Sequence, residues 1–265
     1  MNKSDRMSKR ELLRERRRRE EKRKRGIFIG GIVVIALIIA GVLIYSSLQS
    51  SQPENITMIT PSAVPNPQGL SMGDPNAPVK VSEFADFQCP ACMLFATQEE
   101  TTFVNTYVAT GKVYFTYLPF SFLDDRDTRN PPLQESHAAA EAAFCAGDQN
   151  KFWEYHDILF ANQTGENIGD FTAKRLTAFA QALGLDMSQF NACYTSGKYR
   201  QQVIDDYNLG MKDNVTQTPS FLVNGTLVTQ VDLQTTIDAQ LTAGTPTTAA
   251  PTTSPSETPV VTPAQ

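Results

Sequence analysis

The chain is poor in the residues that build metal centres and disulfide scaffolds, with two histidines and four cysteines among 265 residues. Two histidines leave little room for a His-rich metal site. Four cysteines are too few for a miniprotein held together by bridges. Basic side chains are also scarce beyond the N-terminus. Residues 1–25 hold 13 Lys/Arg against 5 Asp/Glu, whereas the other 240 hold 10 against 23, so a head of +8 precedes a body of −13. Phosphate binding needs a positive surface, which excludes nucleic acid as the main partner of that body. Long apolar runs are missing too, except between Gly26 and Tyr45. What the chain does have is 41% hydrophobic against 19% charged residues, enough for a sizeable core and incompatible with disorder throughout.

The apolar exception, GIFIGGIVVIALIIAGVLIY, is twenty residues without a charge. As a helix it spans roughly 30 Å, the thickness of the hydrocarbon layer. The basic block lies immediately before it, so the positive-inside rule puts residues 1–25 in the cytoplasm and everything after about Ser46 outside. A cleaved signal peptide would have a shorter apolar region, ~7–15 residues, and a small-residue cleavage site, which YSSLQSSQ supplies poorly. The expected organisation is therefore a cytoplasmic basic segment over 1–25, a single transmembrane anchor over 26–48, and a polar, proline-bearing linker over 49–68. A folded domain over 69–243 follows. Residues 244–265 form a Thr/Pro-rich tail that buries too little surface to offset its ordering entropy.

Within the domain, Val79-Lys-Val-Ser-Glu-Phe84 alternates as a strand does and runs into Asp86-Phe-Gln-Cys89-Pro-Ala-Cys92. The stretch after it, MLFATQEETTFVNTYV, has helical apolar spacing, and Pro90 suits the first helical turn because its missing N–H costs nothing there. Gly111 ends that helix and Val113–Leu118 is a second strand. From Pro132 to about Met211 the pattern is helical throughout, with Asp186 and Gln189 resembling a capping box. Ser220–Val223, the pair Asn224-Gly225 and Thr226–Val228 then read as a tight hairpin, and a short helix over Asp232–Leu241 closes the domain. The order is βαβ, a helical insertion, then ββα.

A Cys-x-x-Cys is either half of a metal site or a redox pair. A tetrahedral zinc site wants four ligands, usually as two short pairs, and Cys145 and Cys193 lie 48 positions apart. A structural bridge between Cys89 and Cys92 would close too short a loop to stabilise much. The redox reading fits the position: a cysteine opening a helix faces unpaired N–H groups and the positive end of the dipole, both of which favour its thiolate. Cys89 is then the exposed, reactive sulfur and Cys92, one turn deeper, the shielded one.

Taken together, VKVSEF, the CPAC that opens a helix, and Thr218-Pro219 before SFLVNG resemble the thioredoxin superfamily. The helical insertion resembles its DsbA-like branch of thiol-disulfide oxidoreductases. That resemblance implies an α/β, thioredoxin-like fold with a helical insertion. It implies that Cys89 is the nucleophile and Cys92 its buried partner, that Thr218-Pro219 forms the cis-proline loop facing the disulfide, and that Glu83 is an acid beneath the site that assists proton transfer. It further implies a dithiol oxidase acting on exported proteins with free cysteines and reoxidised by a quinone-linked membrane partner. No quinone or flavin motif occurs, so no bound cofactor or metal is expected in the chain itself. The family's best-known members carry His before the second cysteine, whereas this chain has Ala91, which implies a less acidic Cys89 and a milder oxidant. Cys145 and Cys193 fall on helices of the insertion. Outside the cytoplasm such cysteines usually pair, so a structural disulfide is expected, against two free thiols or a second redox relay. His137, His156 and Trp153 read as helix-surface or core residues. The same chemistry also allows a reductase or isomerase. A copper(I) metallochaperone is a different class that would need a further ligand near the cysteines.

Overall fold

The computed structural model describes residues 30–31, 38–39, 55–58, 63–129 and 134–243. The basic segment 1–25, nearly all of the anchor 26–48, much of the linker and the tail 244–265 lie outside the described residues. Of the anchor, residues 30–31 and 38–39 are described, both helical. Among the described residues no helix is long and apolar enough to cross a membrane.

The folded unit lies within Asn55–Gln265. Its strands are β1 (Ser71–Met72), β2 (Val79–Ala85), β3 (Val113–Pro119), β4 (Ser220–Val223) and β5 (Thr226–Thr229), ordered β1-β3-β2-β4-β5 in one sheet. β2 pairs with β3 in parallel and with β4 antiparallel, so the strand leading to CPAC is central. The parallel pair needs a crossover, supplied by helix α1 over residues 90–108. The hairpin joining β4 to β5 turns on Asn224 and Gly225 with φ of 45° and 85°, the left-handed pair that a two-residue turn requires.

The insertion comprises α2 (Glu135–Gly147), α3 (Phe152–Ala161), α4 (Ala173–Ala182), α5 (Met187–Ser196) and α6 (Arg200–Lys212), and α7 (Leu233–Ala243) ends the domain. Helices cover both faces of the sheet. On one, Phe95 of α1 meets Phe221 of β4 with ring centroids 5.0 Å apart. On the other, Phe84 and Phe120 lie under α6, where a Cβ on Gly210 would come 2.5 Å from the Phe120 ring. Asp186 caps α5 by accepting from the backbone N–H groups of Ser188 and Gln189. Its own N–H donates to Gln149 rather than to Gln189, so only half of the expected box forms.

Three features differ from the sequence pattern. β1 is two residues long, too short to alternate. Residues 55–58, expected as part of a free tether, are docked: Thr57 N–H donates to Asn162 Oδ1, and Asn162 Nδ2 returns a bond to the Thr57 carbonyl. Helix α1 is not uniform, because wide π turns over Phe95–Glu99 and Val104–Val108 interrupt its α-helical stretches. The first of these turns Phe95 and Glu100, five positions apart, toward the same interior.

Candidate active site

The site sits where β2 ends. Asp86, Phe87 and Gln88 lead the chain out of the sheet, and Cys89 is the N-cap of α1, with Pro90 at its first position. Both cysteines are thiols in this structure, Cys89 7% exposed and Cys92 fully buried, so the sulfur expected to be exposed is itself nearly covered and only the order of the two holds. Opposite them the Thr218–Pro219 peptide is cis, and the Cys89 thiol donates to the Thr218 carbonyl over 3.4 Å. Glu83 lies on the same β2 face as the core residues Val79 and Val81, two residues apart each time, and is 2% exposed. The expected residues Cys89, Cys92, Thr218, Pro219 and Glu83 therefore converge on one end of the sheet. Cys145 and Cys193 do not join them; they are bridged to each other between α2 and α5, with Cα atoms 5.8 Å apart.

The two active-site sulfurs are electrostatically unlike. Cys89 is lowered to about 6, chiefly by the hydrogen bond from the Cys92 thiol. Burial opposes this, and Thr218 and the backbone amides of Cys92 and Ala91 add smaller contributions. The helix amides that the sequence offered as the cause thus rank behind the neighbouring thiol. Thr218 offers the sulfur two different atoms. Its carbonyl accepts from the thiol, and its buried hydroxyl, without a partner of its own, is the one able to donate to the thiolate. Cys92 moves the opposite way, held well above the usual thiol range by burial and by its bond to Cys89. Glu83 rises to about 8, mainly from burial and then from the charge of Cys89.

A second set of residues, which the sequence pattern did not single out, holds the loop before Cys89. Asp86 accepts from the N–H groups of Gln88 and Leu123 and from the Ser136 hydroxyl, at 2.9, 3.0 and 2.7 Å. Gln88, wholly buried, donates its amide toward Ser136, Asp124 and Asn167. Asp124 accepts from the Ser136 and His137 N–H groups and from His137 Nδ1 at 2.6 Å. This network ties the active-site loop to the start of α2. Polar residues interleaved with apolar ones just before the CPAC were the available signal, but their partners across the network lie 36 to 79 positions away in sequence. His156, by contrast, is buried among Phe87, Tyr117, Phe152, Trp153 and Phe160. Among the described residues no cluster of His, Cys, Asp or Glu could hold a metal ion.

An acidic thiol over a buried one, facing a cis-proline loop at the end of a helix-flanked sheet, is the equipment of thiol–disulfide exchange. Known proteins agree. Residues 65–241 match the family model described as Thioredoxin, and the chain belongs to that family as a DsbA-like thiol-disulfide oxidoreductase. The "Probable disulfide bond formation protein D" of Bacillus anthracis is 29% identical over 196 residues, covering 73% of this chain and 85% of that protein. The solved structure of oxidised DsbA from Mycobacterium tuberculosis is 27% identical, with a TM-score of 0.51 over 67% of this chain and all of that one. Oxidised BdbD from Bacillus subtilis shares the fold at 22% identity and a TM-score of 0.58, over 70% of this chain and the whole of that one.

Proposed function

We propose that the chain is a dithiol oxidase, anchored through residues 26–48 with its domain outside the cytoplasm, that introduces disulfides into exported proteins through Cys89 and Cys92. The observation that carries this reading is the inequality of the two sulfurs, with Cys89 lowered to about 6 and Cys92 held well above the usual range. In the oxidised enzyme a substrate thiolate attacks Cys89, and the electron pair of the broken bond leaves on Cys92. The second substrate thiolate then attacks the substrate sulfur of the mixed disulfide, and Cys89 leaves as a stabilised thiolate. Thr218 and Pro219 line the approach to Cys89, and Glu83 supplies the proton that Cys92 needs. A quinone-linked membrane partner restores the disulfide. Stabilising the Cys89 thiolate favours the reduced enzyme and so makes its disulfide oxidising, by ~30 mV for each ~1.4 kcal/mol. The relatives' names fit this direction, and the basic head before one apolar run supports the anchor.

The test joins trapping to potential. In cells, Cys92→Ala is expected to accumulate mixed disulfides between Cys89 and exported proteins, with Cys89 accessible to a maleimide that does not cross membranes. The purified chain is expected to have a reduction potential well above the ~−270 mV of thioredoxin, and Cys89 alkylation to rise with a midpoint near pH 6. A potential at or below that of thioredoxin would make the chain a reductase.

A further inference from the structure

Behind Cys92 lies a group of buried polar atoms of which the exchange chemistry uses only Glu83. Glu83 Oε2, Tyr117 OH, Glu100 Oε2 and His156 Nε2 are all buried and without a hydrogen-bond partner. They belong together. Glu83 and Tyr117 are register partners on β2 and β3 and occupy the same face of the sheet. The Tyr117 ring stands edge-on to His156, with centroids 5.0 Å apart. His156 Nε2 lies 3.9 Å from Glu100 Oε2, and its other nitrogen, Nδ1, lies 3.0 Å from Asp157 Oδ1. The side chains of Glu100 and His156 are 6% and 1% exposed, whereas that of Asp157 is 12% exposed and meets solvent. A core tolerates unpartnered polar atoms only at a cost, and such groups gathered at a redox centre call for a role.

We infer that Glu100 and His156 extend the proton path of the Cys92 thiol from Glu83 to Asp157 at the surface. The inference rests on the dithiol-oxidase reading. Cys92 is fully buried, so its sulfur cannot exchange a proton with water directly. Glu83 is nearly as buried, at 2% exposed. When substrate attacks Cys89, the Cys89–Cys92 bond breaks and the Cys92 thiolate takes a proton from Glu83. Glu83 is refilled from Glu100. Glu100 takes the Nε2 proton of the neutral His156 ring while Nδ1 takes one from solvent by way of Asp157, a change of tautomer that the reverse transfer on reoxidation resets. On reoxidation the proton of Cys92 leaves by the same groups in reverse, while its electron pair forms the new disulfide and the departing sulfur carries electrons to the oxidant.

The surrounding charges are compatible with this route. The groups acting on Glu100 are Glu83, His156 and Asp157, and those acting on Cys92 are Cys89 and Glu83. Glu100 lies near 8 and Glu83 at about 8, each raised first by burial, so both carboxyls can hold a proton where an exposed one would be ionised. His156 is drawn upward by Glu100 and Asp157 against the opposing effect of burial. The remaining walls around the imidazole are aromatic and do not titrate in this range.

The experiment mixes the oxidised full chain in detergent with a dithiol peptide and follows its reduction by stopped flow. Glu100→Gln and His156→Phe are each expected to slow that reduction about tenfold or more and to flatten its pH profile. Alkylation of Cys89 in the reduced chain, where Cys92 stays a thiol and no proton moves to or from it, is expected to keep its rate and midpoint. If both variants match the unmodified chain while Glu83→Gln is slow, protons leave Glu83 by another route and the inference is overturned with the dithiol reading intact. If the unmodified chain does not oxidise the peptide at all, the dithiol reading itself fails. Should a variant not fold, infrared difference spectra of the unmodified chain between its two redox states decide. With glutamate-specific isotope labelling, two carboxyl carbonyl bands are expected to respond to redox state; a single responding glutamate would overturn the path.

Discussion

Glu83, the proton donor of the proposed exchange, sets that role against stability at a single residue. Its carboxyl is held at about 8 by burial, against an ordinary value near ~4.3. A raised acid contributes fully to stability below its ordinary pKa, and that contribution is lost as pH rises through the folded value. Glutamine cannot ionise, so Glu83→Gln is expected to match the parent at pH 4 and to exceed it increasingly up to about pH 8. The gain should level off there, on the order of a few kcal/mol. Denaturant unfolding of both proteins at pH 4, 6 and 9 measures it; a constant difference across that range would contradict burial as the cause of the raised value. The same change should slow turnover. At this scale the sequence was informative where chemistry is local: CPAC at a strand–helix junction, Thr218-Pro219 before a strand, and Glu83 in phase with Val79 and Val81. It was uninformative where the deciding group is reached only through space. The Cys92 thiol outranks the helix amides in acidifying Cys89, a result that depends on the actual side-chain geometry. Glu100, in the run QEETT, reads as one of a solvated pair until the π turn carries it inside.

At the level of elements, the helical insertion does two mechanical jobs. Through Asp124 and Ser136 it fixes the loop that presents Cys89, and through the Cys145–Cys193 bridge it fastens α2 to α5. The bridge closes a loop of 48 positions, which in the chain-entropy model restricts the unfolded chain by roughly 4 kcal/mol. Replacing both cysteines by alanine is therefore expected to lower unfolding stability by about 2–4 kcal/mol. Cys89 alkylation should keep its midpoint, because no group of the bridge acts on that sulfur. A shifted midpoint would mean that the bridge takes part in the redox site, as a relay would. The elements themselves were mostly readable, since strand alternation, helical spacing, Pro90, Asp186 and Asn224-Gly225 act within a few residues. β1 and the docked residues 55–58 were not, because both owe their place to partners far along the chain, Thr116 and Asn162.

For the whole molecule, the thiolate couples redox state to folding. Only the reduced form carries the Cys89 charge, and its pKa is lowered to about 6 from an ordinary value near ~8.5. A depressed acid contributes stability that is fully present above its unfolded pKa and lost as pH falls through the folded one. The reduced protein thus gains over the oxidised protein by at most ~1.4 kcal/mol per pH unit between about 6 and 8.5, less the smaller opposing effect of the Cys89 charge on Glu83, and gains nothing below that window. Cys92 adds no slope there, because burial keeps it a thiol in the folded state and its unfolded value lies at the top of the window. The disulfide offsets little, since it closes a loop of only a few residues. Unfolding of the two redox forms at pH 5 and pH 8.5 is therefore expected to show near-equal stabilities at the lower pH and a reduced form ahead by about 2–4 kcal/mol at the higher. That ordering is what a disulfide donor requires, because it places the driving force for oxidising a substrate in the folded enzyme rather than in the substrate. An oxidised form more stable at pH 8.5 would reverse the direction of exchange and make the domain a reductase, whatever its fold.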